Sequence, residues 1–151
     1  MNIYVDADAI PVVIREILYR AAERVNVPVI LVANVSLKFP QSQLISMIVV
    51  PAGPDEADDK IAEMAAPGDL VITADIPLAS RVIEKGAMVI DSRGAVFSRE
   101  NIGERLTMRN FMEDLRNSGI DTGGPSAFTP KERQAFANQL DRILTKYAAS
   151  R

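Results

Sequence analysis

Apolar and polar positions fall into blocks that predict strands alternating with helices. The apolar stretch 2–5 reads as a first strand, and it ends abruptly in two acids, Asp6 and Asp8. Pro11 pre-sets the first turn of a helix. Along residues 11–25, Val12, Val13, Ile17, Leu18, Ala21, Ala22 and Val25 recur at helical spacing, with Arg15, Glu16, Arg20, Glu23 and Arg24 on the other side. Residues 28–33 are apolar on both faces, as a buried parallel strand should be. Residues 35–44 read as a loop or short helix, and residues 45–50 as a third strand. Asp55 is placed to cap a helix running to about residue 66. A fourth strand spans 70–73, a helix 77–85 ends at Gly86, and a fifth strand spans 87–90. From Ser98 the pattern turns helical. One helix runs to about Asn117, and residues 120–128, with Gly123-Gly124-Pro125, form a loop. Thr129-Pro130-Lys131-Glu132 is then a capping box opening a helix that reaches about Tyr147.

This alternation predicts an α/β, three-layer fold around a mainly parallel, five-stranded sheet. The 151 residues are the size of one domain, with a core over about 1–97 and a helical extension over about 98–151. No apolar run has the length of a membrane-spanning helix, and no signal peptide is recognisable.

Composition narrows the chemistry. The chain has no His and no Cys. Thiol nucleophiles, Ser-His-Asp triads, histidine bases and the usual zinc sites are therefore excluded. The lack of Cys fits a reducing compartment, and a cytoplasmic location is expected. Carboxylate chemistry remains, alone or with a hard cation such as Mg²⁺ or Mn²⁺. Net charge is −3, but residues 1–98 carry 8 basic and 13 acidic side chains, and residues 99–151 carry 9 and 7. An acidic front beside a mildly basic tail is compatible with gripping a polyanion near a metal.

Several acids sit at strand ends. Asp6, Asp8, Asp75 and Asp91 follow strands, while Asp55 and Asp58 open a helix after one. Each alone fits a helix cap or turn; as a set at one sheet edge they predict an acidic pocket, since ligands of open α/β sheets bind there. With the first strand central and the fourth beside it, Asp6 and Asp75 are expected side by side. Two carboxylates ~4 Å apart repel by about 4 kcal/mol at an effective dielectric of 20, and a divalent ion reverses that cost. Asp58 flanks the apolar face of its helix, Asp59 points to solvent, and Asp69 lies at the wrong end of its strand.

Asp6-Ala7-Asp8-Ala9-Ile10-Pro11, Val32-Ala33-Asn34, Gly53-Pro54-Asp55-Glu56-Ala57-Asp58, the segment from Gly68 through Thr73 and Asp75 to Leu78, and Thr122-Gly123-Gly124-Pro125 together resemble the bacterial YaiI/YqxD family. That uncharacterised family is placed among the PIN-like domains, whose active members are Mg²⁺- or Mn²⁺-dependent ribonucleases. The resemblance implies metal ligation by Asp6, Asp58 and Asp75, with Asp55 as the alternative to Asp58. It implies a catalytic set of Asp6, Asp8 and Asp75. Ile10 stands where relatives often carry Cys.

The resulting expectation is metal-assisted hydrolysis of phosphodiesters, RNA foremost. Asn34 and Thr73 are candidate substrate contacts, against buried structural roles. Arg99 and Arg109, with Arg105 and Arg116, are candidates to follow a phosphate backbone, against solvation or pairing with Glu104, Glu113 and Asp114. A rival is a haloacid-dehalogenase-type phosphatase with Asp6 as nucleophile and Asp8 as acid/base, although its downstream acidic pair is missing. A non-enzymatic binding or regulatory module is the third reading. Homo-oligomerisation is left open.

Overall fold

A computed structural model describes residues 1–123 and 128–150. The expected turn at Gly124-Pro125 lies outside the described residues. The elements are β1 (Ile3–Asp6), a 3₁₀ turn (Ala7–Ala9), α1 (Val12–Val25), β2 (Val29–Ala33), β3 (Ile45–Val49), α2 (Glu56–Met64), β4 (Leu70–Ile72), α3 (Ile76–Glu84), β5 (Met88–Ile90), β6 (Val96–Phe97), α4 (Ile102–Asn117) and α5 (Pro130–Ser150).

The sheet has six strands in the order β3-β2-β1-β4-β5-β6. All neighbours are parallel except β6, which returns antiparallel to β5. The sequence predicts five strands. The sixth is only Val96 and Phe97, too short to carry a period. It pairs because Asp91 Oδ1 accepts from the N–H groups of Arg93 and Ala95, folding the chain straight back. The helix expected from Ser98 starts at Ile102, since Asn101 Oδ1 accepts from the Ser98 N–H and closes a turn first.

The period-2 alternation of each strand feeds two apolar layers. Ile3, Val5, Val29, Leu31, Leu70, Ile72 and Ile90 face α1 and α5. Tyr4, Val32, Val71 and Val89 face α2 and α3. Helices therefore cover both faces, as a mainly parallel sheet requires. The C-terminal helices divide between these layers. Phe136, Leu140 and Leu144 of α5 are fully buried in the α1 layer, so α5 belongs to the core. The α4 helix packs on α3 and buries no residue completely. Among the described residues no helix is long and apolar enough to cross a membrane.

Candidate active site

Strand order reverses between β1 and β4, because the chain runs outward through β2 and β3 and then crosses back to β4. Such a switch leaves a crevice at the carboxyl ends of the strands. Asp6 ends β1 on one side of it, and Thr73 and Asp75 follow β4 on the other.

The register pairs Val5 with Ile72, so Thr73 is level with Asp6, and Asp75 lies beyond. Asp6 and Asp75 are thus not paired directly across the strands, and Thr73 joins them. Its buried hydroxyl donates to Asp6 Oδ2 at 3.1 Å and accepts from the Asp75 N–H at 3.0 Å. Asp75 also caps α3: its Oδ1 accepts from the Leu78 N–H at 2.9 Å, with Pro77 in the first turn. Both carboxylates are thus held by short-range bonds before any ligand is considered.

Asp58 reaches the same place from α2. Burial, then the charges of Asp75 and Asp6, a hydrogen bond to Asp75 and the charge of Asp55 push its carboxyl up to about 7. Asp6 is raised in the same direction, by burial and by Asp75 and Asp8, against the Thr73 bond. The three expected acids are therefore neighbours in one electrostatic field. Among the described residues, however, no group of three or more Asp or Glu side chains is converged as a ready-made metal cage.

The remaining acids separate by position. Asp8 Oδ2 accepts from the Asn34 N–H at 2.8 Å, tying the turn after β1 to the end of β2. Asn34 Oδ1 is buried with no hydrogen-bond partner among the described residues. Asp55 occupies the cap position of α2, but its side chain makes no capping bond, contrary to expectation; it acts on Asp58 through charge. Asp59 points outward as expected and pairs with Arg81 at 2.8 Å. Asp69 holds the opposite edge, accepting from the N–H groups of Asn2 and Ala66. Asp91 is used up in the β5–β6 turn.

The arginine candidates do not join the acids. Because β6 runs antiparallel to β5, Arg99 emerges at the amino ends of the parallel strands, where its guanidinium donates to the Glu84 carbonyl. Arg109 pairs with Glu113 at 3.1 Å along α4. The basic group that sequence reading passed over is Arg15. Helical spacing put it on the solvated side of α1, yet its Nε and Nη1 are buried without hydrogen-bond partners among the described residues. Tyr19, one helical turn later, was the available signal, since an i, i+4 Arg–Tyr pair shares a face.

The donors at the switch point are all oxygens, which suits Mg²⁺ or Mn²⁺. Mg²⁺ keeps several waters and is commonly held by one or two carboxylates, so the Asp58–Asp75 pair with Asp6 beside it fits better than it would fit an ion needing a full protein cage.

A family model described as "Uncharacterized BCR, YaiI/YqxD family" matches residues 4–146. A UPF0178 protein of Cupriavidus pinatubonensis is 59% identical over 149 residues, covering 99% of each chain. UPF0178 proteins of Hahella chejuensis (58% over 150 residues, 99% of this chain and 100% of the relative) and Shewanella loihica (55% over 147 residues, 97% and 98%) are similar over the same extent. No solved structure matches.

Proposed function

The chain belongs to the YaiI/YqxD family, and we propose that its switch-point acids form a divalent-metal-dependent phosphodiesterase site with RNA as substrate. The observation that supports this reading is that burial and the charges of Asp75 and Asp6 act together on Asp58 at the β1/β4 crevice and push its carboxyl up to about 7. Among the described residues no Lys or Arg forms an ion pair with these carboxylates. We read the fold as PIN-like, which the strand order and the positions of the three acids support.

In this reading Asp6, Asp58 and Asp75 hold Mg²⁺ or Mn²⁺. The bound ion would lower the pKa of a coordinated water and stabilise charge on the phosphoryl oxygens. Thr73 keeps Asp6 and Asp75 in place by donating to one carboxylate and accepting from the other residue's backbone. Asp8 fixes the end of β2 through the Asn34 amide. Asp55 adds negative charge at the entrance of α2 and favours the cation further. Phosphate binding on the α1 N-terminus in the dinucleotide manner is disfavoured, since Asp6 and Asp8 occupy the turn where that mode uses glycines.

Cleavage of mixed RNA and DNA substrates with Mn²⁺ tests the reading. Wild type is expected to cut RNA, and Asp6→Asn and Asp75→Asn are expected to lose at least roughly a hundredfold in rate, the upper range seen even for residues that only support a ligand. Equal rates in all three proteins would refute it. Trapping of a phosphorylated Asp6 would replace it with the phosphatase mechanism.

A further inference from the structure

We propose that the cavity between the first half of α1 and the segment Lys38–Pro40 binds a phosphate of the nucleic-acid strand that crosses the acidic crevice. The cavity has a volume of about 320 Å³ and is lined by Val12, Arg15, Glu16, Tyr19, Lys38, Phe39 and Pro40.

Two of the lining residues carry buried donors that no acceptor answers. Among the described residues, Arg15 Nε and Nη1 are buried with no hydrogen-bond partner, and so is the hydroxyl of Tyr19, a residue only 8% exposed. Leaving such groups unpaired costs stability, more for a charged one, and native proteins rarely tolerate it without a reason. The orphans share one cavity and one polarity. Arg15 and Lys38 are cationic, and the Tyr19 hydroxyl can donate. Glu16 at the mouth is the opposing charge, leaving the lining net positive. An oxyanion with several acceptor atoms would satisfy these groups together once the Arg15 and Tyr19 side chains turn toward the open space.

Position names the source of that oxyanion. The α1 helix starts directly after the Asp6–Asp8 turn, and the segment carrying Lys38 and Phe39 leaves the sheet at Asn34, which Asp8 holds. Both walls of the cavity therefore spring from the edge that bears the acids. Phe39 is 39% exposed and offers a ring face to a base or sugar beside the phosphate. Identification of the anion as part of a strand rests on the phosphodiesterase reading; the anion site itself rests on the orphaned donors.

Fluorescence anisotropy of a labelled single-stranded oligouridylate in EDTA isolates the cavity from any ion at the acids. Arg15→Gln is expected to weaken binding by about tenfold or more, the worth of a hydrogen bond to a charged group. Lys38→Gln should weaken it less and reduce its salt dependence. Tyr19→Phe should weaken binding while raising the melting temperature, because it removes a buried unpaired hydroxyl; a residue with a purely structural role would not combine the two. Uridine monophosphate should compete and uridine should not. Asp6→Asn should bind at least as tightly as wild type. The proposal is overturned by RNA binding that Arg15→Gln and Tyr19→Phe leave unchanged, by no binding to wild type, or by equal competition from uridine. Binding of the monophosphate alone, with RNA unaffected by Arg15→Gln, overturns it in favour of a free nucleotide. If Asp6→Asn cleaves like wild type while Arg15→Gln still loses RNA, the metal reading falls and the anion site stands.

Discussion

The Asp58 carboxyl keeps its proton to about 7 because burial comes first, and then Asp75, Asp6 and Asp55 all bear on it with the same sign. In an unfolded chain the same group titrates near 3.9. Between those values the folded protein binds a proton that the unfolded chain has released. Metal-free stability therefore falls as pH rises from about 4 to about 7, and levels off above. Asp6, raised in the same direction, adds to this slope. Replacing Asp58 with Asn should make the metal-free protein more stable than wild type at pH 8 and flatten most of the decline. Chemical denaturation in EDTA across pH 4–9 reads both effects. A wild-type stability that rises through this window would show that the acids are not crowded as described. Local geometry makes the point specific to Asp58, since Asp59, its neighbour in sequence, points outward and pairs with Arg81.

Elements with long, regular apolar patterns were legible from the sequence, and those fixed by a single side-chain bond were not. Residues 11–25 and 129–147 carry helical spacing over several turns, and the observed α1 and α5 follow it closely. The Thr129 hydroxyl accepts from the Glu132 N–H, as the capping box predicts. By contrast, β6 exists because of the Asp91 turn, and Thr73 joins two acids because of a register that no one-dimensional pattern reveals. Asp6 and Asp75 were legible because they follow strands and Asp58 because it opens a helix after one; the cavity at Arg15 was not, because periodicity shows which face a residue occupies and not what the next loop lays over it. The Asp91 turn yields an element-level prediction. Gly94 has φ of +89°, and a Cβ there would stand 2.7 Å from the Ala135 carbonyl carbon on α5. Gly94→Ala meets both backbone strain and a rigid clash, so it should destabilise by about 1–3 kcal/mol. Gly119, also at positive φ (+83°) but with open space around it, should lose less when changed to Ala. Paired denaturation curves check the ordering; equal losses would mean that β6 and its turn are not pressed against α5.

Across the whole molecule, a two-sided core supports an edge that is electrostatically unfavourable when empty. Both apolar layers are built from strand residues that point away from the crevice, so the acids can be crowded there without loosening the sheet. Stability and ligand binding are then linked through the same protons. A divalent ion at Asp58 and Asp75 must displace the proton that Asp58 keeps to about 7, so its affinity should drop by about tenfold per pH unit below that value. Above it, ion and carboxylates attract without competition. A ligand at a hundredfold excess over its Kd stabilises by about 2.7 kcal/mol, which in a chain of this size raises Tm by roughly 5–10 °C. Mn²⁺ should therefore raise Tm by about that much at pH 8 and very little at pH 5.5, and EDTA should reverse the rise. Asp58→Asn should abolish the pH dependence of the shift, and Asp75→Asn should remove the shift itself. Because the metal-free protein loses stability over the same pH range in which the ion gains affinity, the two melting curves should diverge as pH rises. Parallel curves, or a shift equally large at pH 5.5, would place the ion somewhere other than among these acids.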